Sequence, residues 1–424
     1  MTGFEFFEIL LSNLRLFAIC ILFSLALFYF VMKKTTSSWF NPLRFNLLTF
    51  TLGFGVILFL YFTDNMSFKT FNYTILSISI FWLTFMLIFK NKQRLVTLKF
   101  KGESQFVRYL FYLSYLIYIS LTLLSYKLLG IPVFNEDSRI ATYTGSGLGF
   151  IARILPVLQV YCLIYIMSLL NASKNRGSTL RILIYFVPVI IFGVLSGSRS
   201  SFLVIIFIFW GYKTFFKKEE PKLINHKIFL IPFFLVSIYV FSLSTGGNLN
   251  LAFLAFLERI VASGDLYWEA LPNEVWKDVV IRNPFEFVFM GFLGPLRILD
   301  ANYAEIPIGF QLTNIIYPAI EGKSTGPVAL FPVFGLVCFG YYGGLVFSFL
   351  QALLVSSLLR FFYIKSNSII VVAMAYYGFF NILALLGDIS AGLGALLDVL
   401  IGYAFFLFLI CLIVLFLYPR KNFF

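Results

Sequence analysis

The chain carries little charge and few metal-binding side chains. Only 12% of its residues are Asp, Glu, Lys or Arg, about half the share of a soluble domain, and it has a single histidine, His226. It contains no HExxH motif, no Cys-rich metal motif and no Walker loop. Its four cysteines all lie within apolar runs, so we expect small buried side chains rather than a disulfide framework. These absences argue against a soluble domain, a metal site and an ATP-driven activity.

The chain is instead rich in apolar residues. Hydrophobic residues make up 60% of it and aromatic residues 20%, which predicts an all-α polytopic membrane protein with residues 1–424 as a single integral membrane domain. A spanning helix needs about 20 mostly apolar residues, a rule that predicts about 11 (11–12) transmembrane helices. The run from Pro327 to Phe339 is short for a twelfth span and fits a re-entrant segment. The eleven segments are 14–32, 45–62, 71–89, 109–129, 151–170, 180–195, 201–216, 228–244, 341–361, 369–386 and 395–417.

The positive charges indicate the orientation of these helices. Most of the 32 Lys and Arg residues lie in alternate connections, where only Glu103, Glu219 and Glu220 of the 19 acids accompany them. Because short cytoplasmic loops of membrane proteins are rich in Lys and Arg, we assign these connections to the cytoplasm. The net charge of +13 is therefore a topology signal and does not indicate nucleic-acid binding. The basic connections follow the first, third, fifth, seventh, ninth and eleventh predicted helices.

This topology predicts a large extracytoplasmic (periplasmic) loop at residues 245–326. The stretch Asn250 to Ala262 is apolar but too short to span, so an interfacial or re-entrant helix is expected there. On this outer side Arg outnumbers Lys, an asymmetry that the positive-inside rule does not explain. Arg presents a planar fork that suits phosphate, although these arginines could also pair with acids of the same loops. The arginines on the predicted outer side are Arg15, Arg139, Arg153, Arg199, Arg259, Arg282 and Arg297.

The short turn between the sixth and seventh predicted helices carries Arg199 between Ser198 and Ser200. A charge at the bilayer centre costs about 3 kcal/mol, so an Arg held between two apolar helices usually has a partner or a task. The flanking hydroxyls and Gly197 would let an anion approach the backbone. The alternative is an Arg that reaches lipid headgroups. We expect the site to lie between this turn and the large loop.

Further candidates flank this turn in the sequence. Arg139 and Arg153 border a Gly-rich turn at Thr144 to Gly149, just before a predicted helix. Such a turn can bind an anion, although Gly and Ser also form ordinary flexible turns. In the large loop, Tyr267 and Trp268 are of the type that stacks on sugars, although an aromatic interfacial belt is an equal explanation. The other two arginines of the loop, Arg282 and Arg297, stand beside Pro and Gly residues that break helices. Gly340 and Gly344 form a GxxxG pair, which is typical of helix packing.

Three stretches resemble bacterial O-antigen polymerases, the oligosaccharide repeat-unit polymerase family. They are Gly197-Ser198-Arg199-Ser200, the stretch from Glu258-Arg259 to Gly264-Asp265-Leu266-Tyr267-Trp268, and the stretch from Ser324-Thr325-Gly326-Pro327 to Gly343-Gly344. The resemblance extends to the whole chain in architecture, with many apolar helices and a large late outer loop. It implies a class-C type membrane glycosyltransferase of the bacterial inner membrane, active on the periplasmic side in lipopolysaccharide biosynthesis.

The resemblance also implies a reaction. A glycan leaves its undecaprenyl diphosphate and joins a hydroxyl of the next lipid-linked oligosaccharide repeat unit, so that the protein must neutralise a diphosphate leaving group. Arg199, Arg259 and Arg297 are assigned to the diphosphate, and Asp265 to modest base assistance, with Glu258 and Glu269 as alternatives. Neither a metal nor another cofactor is invoked, and the expected partners are the lipid-linked substrate, membrane lipid and a chain-length regulator protein. The substrate-binding candidates are Arg282, Arg139, Arg153, Ser198, Ser200, Tyr267 and Trp268.

Two other functions stay open. An O-antigen ligase uses the same donor, but ligases of that family carry an essential histidine in the large outer loop, and this loop has none. A lipid-linked oligosaccharide flippase or other transporter usually shows charges inside its helices and no dominant outer loop. The missing histidine favours a polymerase over a ligase, and the nearly charge-free helices with a dominant outer loop favour it over a flippase.

Overall fold

The regular structure is almost entirely helical, as a computed structural model of the chain shows. Contacts divide the chain into two compact units. The first comprises Met1–Lys92, Phe241–Phe361 and Phe380–Leu396, and the second comprises Gln93–Val240, Phe362–Phe379 and Leu397–Phe424. The structure describes residues 1–36, 38, 40–89, 94–96, 103–132, 149–173, 176–196, 201–217, 261–299, 306–318 and 326–417.

The N-terminal half is a series of long apolar helices whose starts carry capping residues. Thr2 forms a capping box with Glu5 at the first helix, and Asn41 and Ser67 cap the third and fourth helices. The helices are α1 (Gly3–Ser12), α2 (Leu14–Thr35), α3 (Pro42–Phe62), α4 (Phe68–Ile88), α5 (Glu103–Leu129), α6 (Gly149–Ala172), α7 (Arg176–Leu195) and α8 (Ser201–Gly211), the last continuing into a π-helical turn at Tyr212–Phe216.

The rest of the chain alternates short and long helices. Ala262–Gly264 and Pro272–Asp278 are 3-10 turns, and Leu383–Leu386 is a third that extends α13. Two three-residue strands, β1 (Arg94–Val96) and β2 (Ile364–Ser366), pair in parallel. Both lie in connections that the charge pattern assigns to the cytoplasmic side. The helices are α9 (Asp265–Ala270), α10 (Pro284–Leu293), α11 (Ile308–Ile316), α12 (Phe331–Phe362), α13 (Ile369–Ile382) and α14 (Ile389–Leu417).

Within the described residues, 8 helices are long and apolar enough to cross a membrane, which supports a multi-pass membrane protein. The predicted segments 180–195 and 201–216 are helical, but their apolar stretches are short. The predicted segment 228–244 lies outside the described residues, so the count of eleven stays a prediction. Of the cysteines, Cys411 is exposed, and the expectation that all four are buried is wrong there. The eight helices that are long and apolar enough to cross a membrane are Leu14–Thr35, Pro42–Phe62, Phe68–Ile88, Gln105–Leu129, Gly149–Ala172, Phe331–Phe362, Ile369–Leu386 and Ile389–Leu415.

Helix α12 is not straight, because it reverses direction at Gly340. This residue has φ +68° and ψ −166°, a conformation outside the helical range. Gly335 and Gly344 then touch backbone to backbone, and the rings of Phe334 and Phe347 stack at 5.4 Å, contacts that a continuous helix could not make across that many residues. The segment before Gly340, interpreted from the sequence as re-entrant, is therefore a helix that folds back on the next. Gly344 serves packing as expected, whereas Gly340 supplies the break.

The predicted outer loop inserts into the first unit. Gly264 packs against Val56, and the Tyr267 ring packs against Gly53, a position about 14 Å along the axis from the end of α3 at 1.5 Å per residue. Two hydrogen bonds join further segments that the charge pattern assigns to the outer side, from Ser67 to Glu274 and from Asn72 to Tyr341. The described part of the loop thus packs against the helices of this unit, and its assignment to the periplasm stays a prediction.

Replacing Gly340 with Ala should destabilise the protein through backbone strain alone. A Cβ at this position meets nothing within 4 Å, but its backbone conformation is one that essentially only Gly adopts, at a cost of about 1 to 3 kcal/mol for other residues. We expect the thermal unfolding midpoint of the purified protein to fall by several degrees. Gly149→Ala is the matched control, because a Cβ at Gly149 also meets nothing and no positive φ is involved. Equal midpoints for both variants would contradict the account.

Candidate functional site

The structure describes some of the predicted site residues and not others. Arg139, Ser198, Arg199, Ser200 and Arg259 lie outside the described residues, so their roles stay predictions. The remaining six fall into three groups with different surroundings. These are the α9 residues Asp265, Tyr267 and Trp268, the α10 neighbours Arg282 and Arg297, and Arg153 on α6.

The two aromatic candidates of α9 are packing residues. Tyr267 is completely buried, and Trp268 is 4% exposed. The Trp268 ring stacks on Phe6 of α1, with centroids 4.2 Å apart and planes 18° from parallel, while Tyr267 lies against Gly53 of α3. Because these rings are covered by α1 and α3, neither presents an open face to a sugar. The prediction that they bind substrate is corrected accordingly, and the interfacial-belt alternative does not describe them either.

Helix α9 also carries two carboxylates one turn apart, Asp265 and Glu269. Residues at this spacing lie on the same side of a helix. Asp265 stands in the first turn and is partly exposed, whereas Glu269 is 7% exposed. The Thr313 hydroxyl on α11 donates a hydrogen bond to Glu269 Oε2 at 3.2 Å. The segment that holds the pair is fixed on both sides by α3 and α11.

Burial raises the pKa of Glu269 to about 7, and the neighbouring charge of Asp265 adds to the rise, while the hydrogen bond from Thr313 opposes it. A carboxyl with a pKa near neutral can exchange a proton with a substrate hydroxyl at physiological pH. Among the three acids considered from the sequence, Glu269 is thus better suited to be a base than the preferred Asp265. The i, i+4 spacing was visible in the sequence, but the burial that separates the two acids was not.

The arginines Arg282 and Arg297 stand at opposite ends of α10, and both are exposed. Asn283 caps the start of this helix and Pro284 is its first residue. At the other end, Ile298 N–H donates to Leu293 O and Arg297 N–H donates to Gly294 O, the pattern of a Schellman cap. A helix of 10 residues is about 15 Å long, so the two arginines are spread along the surface and do not form one cluster.

Arg297 occupies an unusual backbone position. Its φ is +56°, in the left-handed region where a helix cap usually has Gly. Among the described residues, its side chain has no hydrogen-bond or ion-pair partner, and it projects beside the exposed residues Leu296 and Ile298. A non-Gly residue held in a costly conformation, whose cation has no partner among the described residues, is a candidate for function.

Arg153 forms an ion pair with Asp398 of α14. The pair heads a seam between α6 and α14 that repeats every four residues: Val157 packs on Gly402, and the rings of Tyr161 and Phe406 meet edge to face at 4.8 Å. This contact gives Arg153 an acidic partner, as in the alternative considered for every outer arginine, although the partner lies on a distant helix rather than in the same loop. Its assignment to substrate stays a prediction.

One acid was missed in the sequence. Asp388 caps the start of α14, where its Oδ1 accepts hydrogen bonds from the backbone N–H groups of Ser390 and Ala391. Burial raises its pKa, although both hydrogen bonds oppose the rise. The neighbouring Ser390 hydroxyl accepts a hydrogen bond from Gly291 N of α10. The sequence feature that could have identified this acid is the Gly387-Asp388 pair between two apolar segments.

No family model, curated protein or solved structure matches this chain. In the part of the chain that the structure describes, no group of three or more His, Cys, Asp or Glu side chains could hold a metal ion. The function is therefore argued from the chemistry of Glu269 and Arg297.

The raised pKa of Glu269 predicts a pH-dependent stability. The folded state holds its proton up to about pH 7, whereas the unfolded chain releases it near 4.5, so the stabilisation is complete below pH 4.5 and is lost as the pH rises to about 7. We expect a loss on the order of 3 kcal/mol across this window. The measurement is the thermal midpoint of wild type minus that of Glu269→Gln, which cancels the other titrating groups. A difference that does not change between pH 4.5 and 8 would contradict the pKa.

Proposed function

We propose that the protein is an O-antigen polymerase, a metal-independent glycosyltransferase that joins undecaprenyl-diphosphate-linked oligosaccharide repeat units on the periplasmic side of the bacterial inner membrane. On this proposal it has eleven or twelve transmembrane helices and residues 245–326 form its periplasmic loop. The observation that carries the proposal is Arg297, an exposed cation with no described partner, held in a left-handed conformation within that loop.

The chemistry of the transfer explains why such a cation is needed. The glycosyl bond breaks at the sugar carbon, the diphosphate leaves with the electron pair, and the acceptor hydroxyl forms the new bond and loses its proton. Each charge-assisted hydrogen bond from Arg to the departing diphosphate contributes about 1.5 to 3 kcal/mol. Glu269 is the group suited to accept the proton, since its pKa of about 7 leaves it substantially ionised at neutral pH. Arg199 and Arg259 are the further cations that the resemblance assigns to this step.

The glycan profile of cells that lack the protein tests the proposal. A polymerase is required for extension but not for transfer to lipid A, so we expect a lipid A core capped by a single repeat unit. The profile is read by gel electrophoresis of extracted lipopolysaccharide. An uncapped core would identify a ligase or a flippase instead, and an unchanged profile would refute all three functions.

Substituting Arg297 with Gly separates its chemical role from a structural one. Gly is favoured at a left-handed helix cap, so Arg297→Gly should keep or raise the thermal midpoint. The variant should nevertheless lower the rate of chain extension by about 10- to 100-fold, the equivalent of one lost charged hydrogen bond. Arg297→Lys tests whether the planar fork is needed beyond the charge.

Arg360→Gln is the matched control for this substitution, because Arg360 is exposed at the last turn of α12 on the predicted cytoplasmic side. It should extend chains at the wild-type rate. Wild-type chain lengths in Arg297→Gly would remove Arg297 from the mechanism.

A further inference from the structure

Helix α10 has two distinct faces. Its inner face is closely packed: Phe287 is 2% exposed and stacks on Phe334 at 5.3 Å, and a Cβ at Gly291 would lie only 1.9 Å from Ser390 O. Its outer face carries Phe285 and Phe289, which are 70% and 46% exposed. These two residues are one turn apart and so lie side by side along the helix.

The exposed apolar surface continues past the end of the helix. Leu296 and Ile298 are 45% and 65% exposed, and Arg297 lies between them in the Schellman cap. We call Phe285, Phe289, Leu296 and Ile298 the α10 strip. Since the backbone hydrogen bonds of the cap fix this turn, the fold sets the backbone position from which the Arg297 cation extends, between the last two residues of the strip.

An apolar strip with a cation between its last two residues matches an amphiphile whose chain ends in phosphate. In a bilayer, a lipid tail gains little hydrophobic free energy by moving from other lipids to a protein, so packing and polar contacts decide which lipid binds. A diphosphate carries more negative charge near its chain than the single phosphate of a phospholipid. Because Arg binds phosphate oxygens in a fork, the cation favours the diphosphate.

We propose that the α10 strip binds the isoprenoid chain of the polyprenyl-diphosphate substrate and that Arg297 contacts the phosphate at the end of this chain. This inference rests on the proposed function and adds to it a site for the lipid part of the substrate. Phe285 and Phe289 provide rigid surfaces against which the methyl branches of the chain pack. The inner face of α10 keeps the strip in place through its contacts with Phe334 and Ser390.

The test is photolabelling of the full-length protein in nanodiscs of phosphatidylethanolamine and phosphatidylglycerol, with a benzophenone-bearing isoprenoid diphosphate as the probe. We expect the label in the peptide spanning residues 284–299, and displacement by excess undecaprenyl diphosphate. Phe289→Ser should reduce labelling severalfold, and Arg297→Gly should reduce it about tenfold or more, the equivalent of a lost charged hydrogen bond.

Phe23→Ser is the matched control, because Phe23 is 57% exposed on α2 and does not belong to the strip. Its labelling should equal that of wild type. Label in other peptides, equal loss in Phe23→Ser and Phe289→Ser, or equal displacement by added phosphatidylglycerol would each overturn the assignment, the last by showing that any anionic lipid covers the strip.

Chain extension in the same nanodiscs distinguishes the two proposals. If wild type extends repeat units while the label maps elsewhere, the strip assignment fails and the polymerase function stands. If the strip is labelled selectively but repeat units are not extended when acceptor and donor are both supplied, the polymerase function fails and a binding site for isoprenoid diphosphate is supported.

Discussion

Backbone groups that leave a helix inside an apolar bundle need hydrogen-bond partners, and the arrangement of the first unit depends on how they are supplied. An unsatisfied buried polar group costs about 1 to 3 kcal/mol. Gln351 in α12 donates to Leu385 O at 2.6 Å, next to the break between α13 and α14. Tyr73 in α4 donates to Pro332 O at 3.0 Å, in the helix that folds back at Gly340. At the surface, Gln311 in α11 binds both the N–H and the carbonyl of the exposed residue Val280. Gln351 and Gln311 thus hold two non-helical segments in place, and Tyr73 ties α4 to the folded-back start of α12.

These supports let the loop pack inside the unit, and the packing gives its polar groups different environments. On the short helix α9, Tyr267 and Trp268 fill the space against α3 and α1, and this same burial raises the pKa of Glu269 in the next position. Helix α10 is anchored through Gly291 and Phe287, so its outer face and its cap remain at the surface. A loose surface loop would leave Glu269 hydrated and the backbone of Arg297 mobile.

The sequence predicted the membrane class and most of the long helices because their length and apolarity are local properties. It separated the run from Pro327 to Phe339 from the helix at 341–361, but hydropathy could not show that the reversal depends on the backbone conformation of Gly340. Tyr267 and Trp268 were misassigned because an aromatic residue suits a sugar site, an interfacial belt and a packed core equally well. The partner of Arg153 lies 245 residues away at Asp398, and no local pattern identifies it. The left-handed conformation of Arg297 depends on the hydrogen bonds of the cap, and Gly-Pro-Leu-Arg does not specify them.

In the proposed reaction the general base and the phosphate-binding arginines must not pair with each other. If an arginine paired with Glu269, the pairing would lower the pKa of the carboxyl and weaken it as a base, and the same contact would neutralise the cation that the departing diphosphate needs. Burial and the charge of Asp265 raise the pKa of Glu269, while the hydrogen bond from Thr313 and the N-terminal ammonium group lower it, and no described Arg or Lys contributes to it. Arg297 in turn has no described carboxylate partner. On the proposed function, the base would act on the acceptor hydroxyl and the cation on the departing diphosphate, and both of these groups bond to the same sugar carbon.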